Sequence, residues 1–297
     1  MKYFLLTALL NCFVFFTPLS AQVYDHIVAA GFNTIGFELE PLEHGRWLAV
    51  GVGEKLPGGS YTDSVVAVVF DANGTIVHRH ILPLHHAEVH EVVTATGTSG
   101  GGYAIAVAHN LCDASTGAGT LLVFDKDSQL LWSKHNSFGQ PNTPQFLTGT
   151  PDGNLLSVEP GKFVKYDLQT GVALFEAPML TSPNTFVRIY DLTYHPGTED
   201  LVGVGIPSLQ YWKKTGTPDV PAYQLSSAVI DPFSSVSRLT QSPAGQYYTF
   251  DFYKGIVYEF APPNLSHSLI GDYPFSITDL AATVQELILF ANLNAVP

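Results

Sequence analysis

Residues 78 to 90 read HRHILPLHHAEVH and carry five of the chain's eleven histidines: His78, His80, His85, His86 and His90. Imidazole changes charge near neutral pH, and its neutral form is the commonest metal ligand. Further along, His109 opens HNLCDASTGAG, which adds Cys112 and Asp113. Histidines mixed with a carboxylate form a donor set suited to zinc, copper or another transition metal. The spacing argues the other way, because H-R-H and H-H around a turn match no metal pattern such as H-E-x-x-H. A single thiol beside an aspartate is as readily a small buried apolar residue. Whether these groups meet depends on the elements that carry them.

Those elements repeat. A turn followed by a short apolar strand recurs as EHGRWLAVG, SGGGYAIAV, TPDGNLLSV, GTEDLVGVG, SPAGQYYTF and TVQELILFA, with Trp47, Tyr103, Leu155, Leu201, Tyr247 and Leu287 in equivalent places. A second ladder, Phe70, Phe124, Tyr166, Trp212 and Phe260, runs at a similar period. A third element precedes each turn and a fourth follows the aromatic strand. Four short strands per repeat of 40 to 56 residues is the pattern of a β-propeller blade, whose sheet buries its faces against its neighbours. The expectation is an all-β propeller of six blades with three to four antiparallel strands each. The repeats run over residues 33–82, 88–134, 143–177, 185–226, 234–270 and 275–297, and residues 23–31 supply a closing strand to the last blade.

The motifs FDANGTIV, FDKDSQLLW and YDLQTGVALF resemble the repeats of secreted bacterial quinoprotein-like and YVTN-like propellers, over nearly the whole chain after its first residues. The resemblance implies a fold. It implies no quinone, and a propeller by itself names no activity. The Asp71 to Gly74 and Asp167 to Gly171 turns, with Pro151-Asp152-Gly153, read as tight hairpins rather than calcium loops, which need a denser run of oxygen ligands.

Strands a to d are lettered from the channel outward. With that order, the b to c and d to a connections share one face of the propeller, and the a to b and c to d turns share the other. His78 and His80 then fall on an outer strand, pointing to solvent or to a seam between blades. Pro83 ends that strand, His85 and His86 lie in the connection to blade two, His90 begins its innermost strand and His109 closes its second. The candidate metal set is therefore His85, His86, His90, His109 and Asp113. Long connections near residues 54 to 63 and 110 to 118 enlarge the same rim, so the candidate binding set is Glu54, Asp63, His85, His86, Asp113, His135 and Tyr253. The other aromatics crowding blades four and five occupy strand positions and are expected in the core.

The chain opens MKYFLLTALLNCFVFFTPLSAQ, a short apolar run followed by a small-residue cleavage site after Ala21. Residues 1–21 are expected to be a secretory signal peptide, residues 22–297 a single propeller domain, and the location secreted, periplasmic or cell-surface. Cleavage leaves Cys112 as the sole cysteine, which rules out an internal disulfide. With 13 Lys and Arg against 26 Asp and Glu, the surface repels phosphate backbones, so nucleic acid is not an expected partner. No later stretch is long and apolar enough for a membrane span. The reading is an exported non-enzymatic module that recognises a protein or carbohydrate through the rim of blades one and two, with no cofactor required. The rival reading is a metal-dependent hydrolase or lyase acting on an extracellular polymer. There His85, His90 and His109 would hold zinc or copper, and Asp113 or Glu88 would act as base.

Overall fold

The segment SVVAVVF, residues 64 to 70, shows what drives the architecture. Branched side chains favour extended backbone, and here both sides of the strand are apolar, so both must be covered. The computed structural model describes residues 34–53, 64–83, 87–111, 117–135, 146–182, 187–195, 197–217, 220–229, 236–242, 244–251, 254–273, 276–282 and 287–292. Blade one is β1 (Thr34–Leu42), β2 (Arg46–Gly53), β3 (Ser64–Phe70) and β4 (Ile76–Pro83). Blade two is β5 (Ala87–Gly97), β6 (Tyr103–Leu111), β7 (Gly117–Phe124) and β8 (Leu130–His135). Blade three is β9 (Phe146–Gly149), β10 (Leu155–Glu159), β11 (Lys162–Tyr166) and β12 (Ala173–Leu180). Blade four is β13 (Arg188–Tyr194), β14 (Leu201–Ile206), β15 (Leu209–Thr217) and β16 (Val220–Val229). Blade five is β17 (Val236–Gln241), β18 (Tyr247–Asp251), β19 (Ile256–Ala261) and β20 (Ser266–Asp272). A two-stranded hairpin follows, β21 (Ser276–Ala282) and β22 (Leu287–Asn292).

Each blade is an antiparallel meander in chain order. The first strands form an inner row, with β1 against β5, β5 against β9, β9 against β13, β13 against β17 and β17 against β21. This is the expected all-β propeller. The expected closing segment, residues 23–31, lies outside the described residues. One pairing departs from the antiparallel expectation: β12 and β16 pair in parallel, Met179 with Tyr223 and Leu180 with Gln224. Both are outermost strands running the same way, so where they extend far enough to touch, only a parallel ladder can form.

The two ladders prove to be one row of cross-strand pairs. Trp47 pairs with Phe70, Tyr103 with Phe124, Leu155 with Tyr166, Leu201 with Trp212 and Tyr247 with Phe260. From blade two onward this row faces the preceding blade. Tyr103, Ile105 and Phe124 pack with Leu48, Val50 and Val69 of blade one. Leu155, Val164 and Tyr166 meet Ala104, Leu121 and Val123 of blade two. The alternate residues turn the other way, so Leu156, Val158 and Phe163 meet Leu201 and Trp212 of blade four. On blade one the same row, Trp47 and Phe70 with Ala49, Val66 and Val68, forms its own cluster on the face away from blade two.

Turns and corners fix the strands. Asp71 Oδ1 accepts from the amides of Asn73 and Thr75, and Asp167 Oδ1 accepts from those of Gln169 and Thr170. Hydrogen bonds from Thr75 and Thr170 respectively hold both carboxyls below the ordinary carboxylate value. These are hairpin turns, not calcium loops. At the opposite end of blade three, Glu159 is 2% exposed, accepts a hydrogen bond from the Tyr166 hydroxyl at 2.6 Å and lies 3.6 Å from Lys162 Nζ. Asp251 occupies the equivalent corner of blade five, fully buried and 3.8 Å from Lys254 Nζ. An acid followed three residues later by a lysine thus closes both b to c hairpins.

Gly171 holds a positive φ of 68° in the turn against Trp132, whose ring carbons would lie 2.6 Å from an added Cβ. Trp132 in turn donates from Nε1 to the Leu168 carbonyl at 2.9 Å, tying blade two to blade three. Gly171→Ala is expected to lower unfolding free energy by at least about 1 kcal/mol, since a left-handed residue alone costs that much; an unchanged denaturation midpoint would contradict this. Burial raises the Glu159 carboxyl above its ordinary 4.5, outweighing the Tyr166 hydrogen bond and the lysines. The folded chain then binds that proton more tightly than the unfolded chain, so its stabilising contribution is full below about pH 4.5 and lost as pH rises through the folded value. Glu159→Gln should leave stability nearly unchanged at about pH 4 and raise it at about pH 7, as read from urea titrations at the two pH values.

Candidate functional site

On the face of the b to c connections, blade one differs most from the rest. Residues 54–63 join β2 to β3 and are the long connection; residues 112–116 join β6 to β7, shorter than the 110 to 118 expected because β6 and β7 extend further, and 252–255 join β18 to β19 at nearly the same length, while blades three and four turn within 160–161 and 207–208. Glu54, Asp63, His85, His86, Cys112, Asp113 and Tyr253 lie outside the described residues. The backbone does place His90 and His109. Val89 pairs with His109 and Glu91 with Ala108, which leaves His90 as the extra residue of a bulge. The two histidines are therefore neighbours in register, at the end of β5 and β6 nearest the long connections. Bulges re-aim a side chain and are concentrated at functional rims.

His135 ends β8 on the same face and is exposed. Its Nδ1 lies 3.0 Å from Thr120 Oγ1 and its Nε2 3.2 Å from Ser133 Oγ, so its own sheet orients the ring. Among the described residues no group of three or more His, Cys, Asp or Glu is gathered to hold a metal ion. Most of the described aromatics singled out in blades four and five are core, as expected: Tyr211, Trp212, Tyr223, Tyr247 and Tyr258 are buried, while Tyr248 is half-buried and Phe252 lies outside the described residues.

The described residues also form an open hollow of about 500 Å³ on the opposite face, which sequence reasoning missed. It lies between the a to b turns of blades four and five and the c to d turn of blade five, with His195, Gln246, Tyr247, Glu259, Ser266 and His267 on its walls. Gln246 donates from Nε2 to Glu259 Oε1 at 3.0 Å and accepts from the Tyr248 hydroxyl at 3.2 Å. The His195 ring stacks on Tyr247, centroids 6.3 Å apart, and meets Tyr211 edge-on at 6.0 Å. The available signal was a histidine in the a to b turn of blade four and another at the start of β20, far apart in sequence but joined by the topology.

Comparison with known proteins adds the class. No family model matches the sequence, and no curated protein matches it. Solved structures do match in fold. YCF48 bound to D1 peptide aligns with a TM-score of 0.53 at 13% identity, covering 88% of this chain and 78% of that one. A virginiamycin B lyase from Staphylococcus aureus gives 0.52 at 10% identity, covering 88% and 92%. A 6-phosphogluconolactonase-like protein from Bacteroides uniformis gives 0.51 at 19% identity, covering 83% and 76%. The chain is a β-propeller, and at these identities the likeness extends to the fold alone.

His78 and His80 belong to β4, as expected of an outer strand, and are partly buried. His80 reaches the seam, its ring 6.1 Å from that of Phe124 in blade two and 6.4 Å from that of His78. Burial first, and the His78 charge second, pull its value below the ordinary 6.5. The neutral ring is thus the form the fold prefers, and stability present above the unfolded value of 6.5 is lost as pH falls through it. An NMR titration should give His80 a midpoint below 6.5, and His80→Gln should flatten the stability loss between about pH 7 and pH 5. A midpoint at or above 6.5 would show that the seam does not exclude water from this ring.

Proposed function

We propose that this protein is an exported, non-enzymatic propeller that binds a protein partner through the loop-rich face of blades one and two. One observation carries the reading. The β5 bulge sets His90 beside the Val89 and His109 pair, at the end of β6 where the connection 112–116 begins and on the same face as the ten-residue connection 54–63, while blades three and four turn within two residues there. A rigid sheet edge flanked by long loops is how propeller scaffolds present variable recognition surfaces. The solved complex of YCF48 with a peptide supports the reading, since a chain of this fold there holds a polypeptide ligand. The opening apolar run supports export, with mature protein beginning at Gln22.

A photo-crosslinking residue in place of Gly58, within the long connection, should capture a discrete protein partner on cells, and the same residue in place of Ala72, exposed in the c to d turn on the opposite face, should not. Equal capture from Gly58 and Ala72, or none from Gly58, would overturn the assignment of the face. A metal-dependent hydrolase or lyase is favoured only by the adjacency of His90 and His109. Stoichiometric zinc or copper in untagged protein, with a rise in melting temperature on metal addition, would replace the binding reading by that one, because a ligand held only by the folded state stabilises it.

A further inference from the structure

We propose that the hollow between blades four and five is a second binding site, taking a neutral saccharide of one or two units. It lies on the face of the a to b and c to d turns, so it is independent of the protein-binding face. Its volume of about 500 Å³ falls within the range typical of small-ligand sites.

The walls hold donors and acceptors that are already fixed in place. The Gln246 amide is held between Glu259 and Tyr248, and its backbone nitrogen donates to Ser242 Oγ at 3.1 Å. His195 is held by its backbone bond to the Asp200 carbonyl at 2.9 Å, by Thr198 Oγ1 3.4 Å from Nδ1 and by the stack on Tyr247, which leaves its Nε2 edge for a ligand. Ser266, His267 and Ser268 are exposed along the far wall. Tyr247 is 1% exposed, and its hydroxyl meets no hydrogen-bond partner among the described residues. That hydroxyl is closed off from solvent, so Tyr247 contributes to the wall as the support of the His195 ring.

Charge selects among ligands. The lining contains the Glu259 carboxylate and neither lysine nor arginine, in a chain of net charge −13, so phosphates and uronic acids are repelled. A cationic peptide is disfavoured for a different reason. Glu259 is the only acid on a described lining that otherwise holds neutral and imidazole groups, and the Tyr247 and Phe260 rings, 1% and 2% exposed, offer no face to an ammonium group. A carboxylate, a carboxamide, imidazoles and hydroxyls around a small hollow are the groups that read adjacent sugar hydroxyls, each of which both donates and accepts.

The test uses the full mature chain and NMR titration with glucose, galactose, mannose, N-acetylglucosamine and their β-linked disaccharides, with tri-lysine and inorganic phosphate as counter-probes. At least one neutral sugar should shift the ring protons of His195 and His267 saturably and leave those of His135 still. Gln246→Ala, or Ser268→Ala on the exposed strand should the first variant not fold, should weaken that binding at least tenfold at an unchanged melting temperature. Silence from every sugar, equal shifts at His135, undiminished binding in the variant, or displacement by tri-lysine or phosphate would each overturn the proposal. None of these outcomes bears on the face of blades one and two.

Discussion

A sheet buried on both sides must be covered on both sides, and this constraint governs the molecule. In blades two to five one pair, from Tyr103 and Phe124 to Tyr247 and Phe260, heads the side that faces the blade before it. The alternate residues face the blade after. Phe163 meets Trp212 edge-on at 5.4 Å, with Tyr223 at 4.9 Å, and Tyr103 stacks on Phe124 at 4.8 Å. Each such ring contributes on the order of 2 kcal/mol when removed from water, and neither blade can bury it alone. The repeat is therefore a unit of sequence but not of stability.

Everything functional hangs on the ends of strands that the seams have made rigid. Inner strands and corners use their polar groups for registration: Asp191 accepts from the Leu192 and Leu239 amides at 2.7 and 2.8 Å, which ties blade four to blade five. Glu159 and Asp251 close hairpins, and Asp71 and Asp167 close turns. Among the described residues, exposed polar groups remain at the two faces, as at His135 at the end of β8 and at Ser266, His267 and Ser268 beside the hollow of blades four and five. The same scaffold can thus carry two recognition surfaces without either disturbing the other.

The propeller was legible because turn residues and apolar runs recur at a blade's length, and periodicity survives even when no single residue is kept. Register was not legible. Nothing in a period says that Tyr103 lies opposite Phe124, or that the β5 bulge leaves His90 over beside the Val89 and His109 pair. The parallel β12 and β16 pairing depends on strand length at the rim, which no local pattern encodes. The blade one and two rim drew notice because five histidines are close in sequence, yet His80 turns to Phe124 in the seam. The hollow drew none, because its groups come from three turns that only the fold brings together.

If the seams are what hold the blades, the strands they cover must open together. Native-state hydrogen exchange under rising denaturant reports this directly, amide by amide. Slow amides of β6, β10 and β14, from three successive blades, should converge on one opening free energy equal to that of global unfolding. Separate free energies, with one blade exchanging well before its neighbours, would show that each blade stands alone and would contradict the account.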